Sequence, residues 1–102
     1  MIDFNSKWLL EIENLNIVMT LTNGICRLVI IENEIEIVNE KFEKNGHYWG
    51  TNSEWYVFDK FTQGEILQLK LKDQNNLLIA FNKDRIVLEN YNRSYLLKKV
   101  IY

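Results

Sequence analysis

Apolar side chains recur at every second position over most of the chain, the period of a strand with one buried face. Trp8, Leu10 and Ile12 alternate with Leu9, Glu11 and Glu13, which predicts a first strand or a short helix capped by Asn5 or Ser6. Ile17, Met19 and Leu21 alternate with Val18, Thr20 and Thr22. Asn23-Gly24 then gives the strongest two-residue hairpin signal in the chain, with 25–31 as the partner strand. Glu32, Asn33 and Glu34 make a second turn before a strand over 35–39. The polar stretch 40–52, with Gly46 and Gly50, reads as the longest loop. Further strands are expected over 54–61 and 66–72. A hairpin of 77–81 with 85–89 follows, turning about Asn82, Lys83 and Asp84, and 95–102 closes the chain.

Eight or nine short strands spaced by about ten residues predict one all-β domain over 1–102: an antiparallel meander, closed as a small barrel or folded as a sandwich. No segment between strands has room for a crossover helix, which excludes parallel βαβ units. The single alanine, Ala80, fits the absence of helix. An offset of fifty residues places Ile17, Met19 and Leu21 on Leu67, Leu69 and Leu71, and 28–31 on 78–81, as two three-stranded pseudo-repeats would.

Composition narrows the functional classes. Of the 102 residues, 47% are hydrophobic and 25% charged, which is globular rather than disordered. The net charge of −2 argues against a nucleic-acid partner. No stretch is long and apolar enough for a membrane span, and the first residues do not form a signal peptide, so a cytoplasmic protein is expected. Cys26 and His47 are the only Cys and His, and Cys26 shares the parity of Leu28 and Ile30, an inward thiol. No ligand set for a metal, no cofactor motif and no catalytic motif stands out, so the chain is not expected to be an enzyme.

Charge is uneven along the chain. Between Glu11 and Glu43 seven acids face only Arg27 and Lys41. Glu32, Glu34, Glu36 and Glu40 cluster about one turn and strand, as a solvated face or as a surface that meets a basic partner. The stretch 47–58 holds Tyr48, Trp49, Trp55, Tyr56 and Phe58. Trp55 and Val57 share one strand face, Tyr56 and Phe58 the other. One face must enter the core, and the other is covered by the long loop or offered to a partner. Tyr and Trp bring large contact area at small entropic cost, so Tyr48, Trp49 and Tyr56 join the glutamates as candidate partner-binding residues. The aromatic stretch lacks the interleaved basic residues that single-stranded nucleic acid requires.

The strand-turn-strand run over 14–38, the aromatic segment 48–58 and the β-pattern over 64–97 resemble the small all-β immunity proteins of bacterial polymorphic-toxin and contact-dependent growth inhibition systems. The resemblance implies a cytoplasmic inhibitor that binds a cognate toxin and blocks its active site; it carries no functional residues over. A lipocalin-like small-molecule barrel is the alternative. An exposed last strand, 95–102, would allow a homodimer by edge pairing.

Overall fold

The computed structural model describes residues 2–50, 53–60, 66–82 and 93–101. Its strands are β1 (Asn5–Ile12), β2 (Leu15–Thr22), β3 (Ile25–Glu32), β4 (Ile35–Gly50), β5 (Ser53–Lys60), β6 (Ile66–Asp73), β7 (Asn76–Asn82) and β8 (Arg93–Lys99). Each pairs antiparallel with the next, and β8 returns to β1, so the meander closes as a barrel. The first segment is therefore a strand, not a helix.

Alternation dictates the core. Trp8, Met19 and Leu28 stand directly opposite one another across β1, β2 and β3, and all point inward with 1% exposure or less. Ile17 and Ile30 form the next inward row. Phe42, Phe58, Leu67, Leu69, Leu77, Ile79 and Leu97 complete the interior from the other strands. Burying each such side chain contributes about 1.5–3 kcal/mol.

Turn chemistry sets the register. Asn23 and Gly24 have φ of 47° and 84°, the left-handed pair of a tight hairpin turn. Asn33 and Glu34 repeat that geometry at 51° and 67°. The β6–β7 turn is held instead by Asp73, whose Oδ1 accepts the backbone N–H of Asn75 at 2.8 Å.

Four expectations are corrected. The stretch expected as a loop over 40–52 is strand as far as Gly50, where β4 ends after 16 residues, and 51–52 lie outside the described residues. A bulge hid the strand. Lys44 pairs with Phe58 and Gly46 with Val57, so Asn45 is an extra residue and the inward parity switches from even to odd numbers beyond it. Next, the edges of β7 are taken by β6 and β8, so 77–81 does not form its hairpin with 85–89, which lies outside the described residues. Third, the last strand is built into the wall. It pairs with β7 from Arg93 to Lys98 and with β1 at Trp8–Lys99 and Leu9–Lys98, while 93–97, most of the strand, carries no ladder on the β1 side. Fourth, the fifty-residue offset preserves the inward face from β2 to β6 but reverses it from β3 to β7, where inward Leu28 falls on outward Leu78. The extra residue Lys72, between Leu71 and Asp73, accounts for the reversal: an offset of fifty-one places Cys26, Leu28 and Ile30 on inward Leu77, Ile79 and Phe81.

The aromatic strand β5 is buried on both faces. Tyr56 and Phe58 enter the barrel, and Trp55 and Val57, outward by parity, are 1% and 0% exposed. Opposite Val57, Gln68 and then Ala80 are also fully buried. The outer wall is covered here, and the long loop expected to cover it is itself the strand β4 as far as Gly50.

Candidate partner-binding surface

In an up-and-down barrel, alternate connections lie at the same end, so the β1–β2 and β3–β4 turns are neighbours. They are tied together: the backbone N–H of Asn33 donates to the carbonyl oxygen of Asn14 at 2.9 Å. Asn14 also has a left-handed φ of 64°. Glu11, Glu13, Glu32, Glu34 and Glu36 are all exposed at this end.

Four isoleucines are exposed with them. Ile12 is 59% and Ile35 65% exposed, because β1 and β4 carry the inward-facing row past the mouth of the barrel. Ile31 lies on the outward face, opposite Asn16 and Glu36. Ile37 is the extra residue of a second bulge: Ile31 pairs with Glu36 and Ile30 with Val38. That bulge leaves Ile37 43% exposed. Between the two turns lies a cleft of about 260 Å³ lined by Glu11, Ile12, Asn14, Leu15, Asn16, Ile31 and Glu34. Glu36 is oriented by a relay on the sheet surface: Arg27 donates to the Asn39 amide oxygen at 2.9 Å, and Asn39 donates to the Glu36 carboxylate at 3.1 Å.

The residues singled out in the sequence divide between the two ends. Glu32, Glu34 and Glu36 come together at the hairpin turns. Glu40 stands further along β4, half-buried opposite Leu28 on the inward parity. Tyr48 and Trp49 lie at the other end of β4, paired with Trp55 and Glu54. Tyr56 is 3% exposed and belongs to the core, so its ring offers almost no surface to a partner. The exposed isoleucines were missed because alternation alone assigns Ile12 and Ile35 to the core. Their position beside a two-residue turn was the available signal.

The opposite end holds a polar-aromatic cluster. The Tyr56 hydroxyl donates to Glu54 Oε1, and His47 Nε2 lies 2.7 Å from the same oxygen. The His47 and Tyr56 rings stack at 4.9 Å, as their direct pairing across β4 and β5 allows. Phe4 meets Tyr56 edge-on at 5.2 Å, and Lys44 Nζ sits 4.6 Å over the Phe4 ring. Burial, reinforced by the bond to Glu54, pushes the Tyr56 hydroxyl up to about 12. The Tyr56 bond holds the Glu54 carboxyl below its ordinary value, helped by His47. Cys26 is fully buried, and burial pushes its thiol far up, which suits packing rather than nucleophilic chemistry.

Among the described residues, no three His, Cys, Asp or Glu side chains gather as a metal site, and no helix is long and apolar enough to cross a membrane. No family model, curated protein or solved structure matches the chain.

Proposed function

We propose that the chain is a protein-binding inhibitor that docks a basic protein domain on its acidic hairpin end and blocks that domain's active site. The observation that carries this reading is the exposure of Ile12, Ile31, Ile35 and Ile37 among Glu11, Glu13, Glu32, Glu34 and Glu36. Burial of the isoleucines supplies affinity, and the carboxylates steer and select a cationic partner. The bond between the two turns presents the surface ready-shaped, which lowers the ordering cost of binding.

On the resemblance stated above, the partner is a cognate bacterial toxin and the chain its immunity protein, acting in the cytoplasm with no chemistry of its own. A nuclease toxin would suit the surface, since a cleft that holds nucleic acid is basic. The test is charge reversal: Glu34→Lys with Glu36→Lys slows association with the captured partner, most strongly at low salt. Association unchanged at low salt removes the reading.

A lipocalin-like small-molecule barrel is the second reading. An eight-stranded barrel can hold one small ligand, and a cleft of about 580 Å³ opens at the other end, beside Asp3, Asn5, Leu71 and Lys99. The interior itself leaves no room for such a ligand, since Phe42, Phe58, Leu67 and Leu69 pack inside with no exposed surface. A small molecule that co-purifies in native mass spectrometry would favour the second.

A further inference from the structure

The cleft between the two hairpin turns is lined from both faces of the sheet, by Ile12 and Leu15 of the inward-facing row and by Glu11, Asn16 and Ile31 of the outward face. Its apolar surface comes from Ile12, Leu15 and Ile31, and its acidic groups are Glu11 and Glu34, with Asn14 and Asn16 also in its lining. A ligand that satisfies both carries a cationic head on a flexible aliphatic stem. Lysine and arginine side chains have that construction, with methylenes that pack against apolar surface while the charge stays at the rim. Arginine fits better. Its planar guanidinium offers five donors in a fixed fork, against two carboxylates and two asparagines, and it gives up its hydration more readily than an ammonium does. The cleft is about 260 Å³, room for one such side chain and little more.

The cleft is also held in shape. Asn14 lines it, and the Asn14 carbonyl accepts the Asn33 N–H that joins the two turns. Its walls come from three strands, β1, β2 and β3, in continuous register. A second copy of this chain is a poor occupant, because its own hairpin end carries the same five glutamates and like charges would meet.

We propose that this cleft is a binding pocket for an arginine side chain of the partner, with Ile12, Leu15 and Ile31 against its methylenes and Glu11 and Glu34 at its guanidinium. The proposal rests on the protein-binding reading and names the anchor that the partner inserts.

The test is a solution NMR titration of the full chain with acetyl-arginine-methylamide, repeated with the citrulline analogue, which keeps the shape and removes the charge. Shifts are expected at Ile12, Leu15 and Ile31, with affinity lower by about tenfold for the citrulline compound and for Glu34→Gln, as loss of one charge-assisted contact implies. Shifts elsewhere, no shifts at all, or equal binding of both compounds would overturn the pocket. An oligolysine peptide titrated in parallel separates the two claims. If it perturbs Glu32, Glu34 and Glu36 while the arginine compound leaves the cleft untouched, the pocket is wrong and the acidic docking surface stands. If neither perturbs this end, both readings fall.

Discussion

The backbone N–H of Asn33 reaches the carbonyl oxygen of Asn14 at 2.9 Å, and this bond makes one surface out of two hairpin turns. Residues nineteen positions apart in sequence thereby fix the spacing of Glu11 and Ile12 against Glu34 and Ile35. The two turns therefore form one preset arrangement instead of two independent loops.

The turn carries strain at a place the proposed function uses. Glu34 has φ of 67°, a left-handed conformation that disfavours side chains other than Asn, Asp and Gly. The left-handed form costs an ordinary residue about 1–2 kcal/mol, and glycine gives back part of that gain as unfolded-state entropy. Glu34→Gly is expected to raise stability by up to about 1 kcal/mol in urea unfolding while weakening partner binding. Loss of stability would show that the Glu34 side chain supports the turn.

Asn33 tests the same turn from the other side. With φ of 51°, Asn33→Val places a β-branched residue where it is least tolerated. The variant should lose about 1–3 kcal/mol. Hydrogen exchange should speed up at Asn33 and its neighbours before it does so in the β6–β7 hairpin.

The Tyr56–Glu54 pair gives stability a dependence on pH at both limits. Tyr56 titrates near 12 in the folded chain against 10 in the unfolded one, so its contribution is complete below 10 and is lost as pH rises toward 12. Glu54 is shifted the other way. Its contribution is present above the ordinary value of 4.5 and is lost as pH falls through the lowered one. Thermal unfolding of Glu54→Gln should fall short of wild type at neutral pH, with the gap closing in acid. The same variant should bring Tyr56 titration, read by tyrosinate absorbance, part of the way back toward 10, because burial remains. A gap constant across the acid range would contradict the assignment.

Cys26 lies opposite Phe42 and Leu21 with no exposed surface. A thiol reagent should label it only as fast as the protein opens, and Cys26→Ala should cost about 1 kcal/mol or more for the space left. Fast labelling of the native chain at neutral pH would reopen a nucleophilic role.

Much of the fold was legible because period two survives wherever one strand face is buried and the strand is regular. Trp8, Ile17, Leu28 and Leu69 all point as their parity demands, and Asn23-Gly24 turns as its chemistry requires. Alternation failed at Asn45, where one inserted residue exchanged the faces and made a strand look like a loop. It failed again over 77–81, because period two identifies a strand and not its partner. In the candidate surface, the clustering of Glu32, Glu34 and Glu36 was legible in their spacing. The exposure of its isoleucines was not: an isoleucine one residue inside the barrel mouth and one beyond it have the same pattern, and only closure of the barrel separates buried Ile30 from exposed Ile35. Tyr56 shows the converse, since aromatic content alone cannot distinguish a docking side chain from a core one.

The most direct test of the account is a pull-down from the protein's own cells with tagged wild type and the Glu34→Lys, Glu36→Lys variant in parallel, partners being identified and quantified by mass spectrometry. Wild type should hold one stoichiometric partner with a basic domain, depleted on the variant at low salt. No stoichiometric protein on wild type, or the same partner held equally by both, would contradict it.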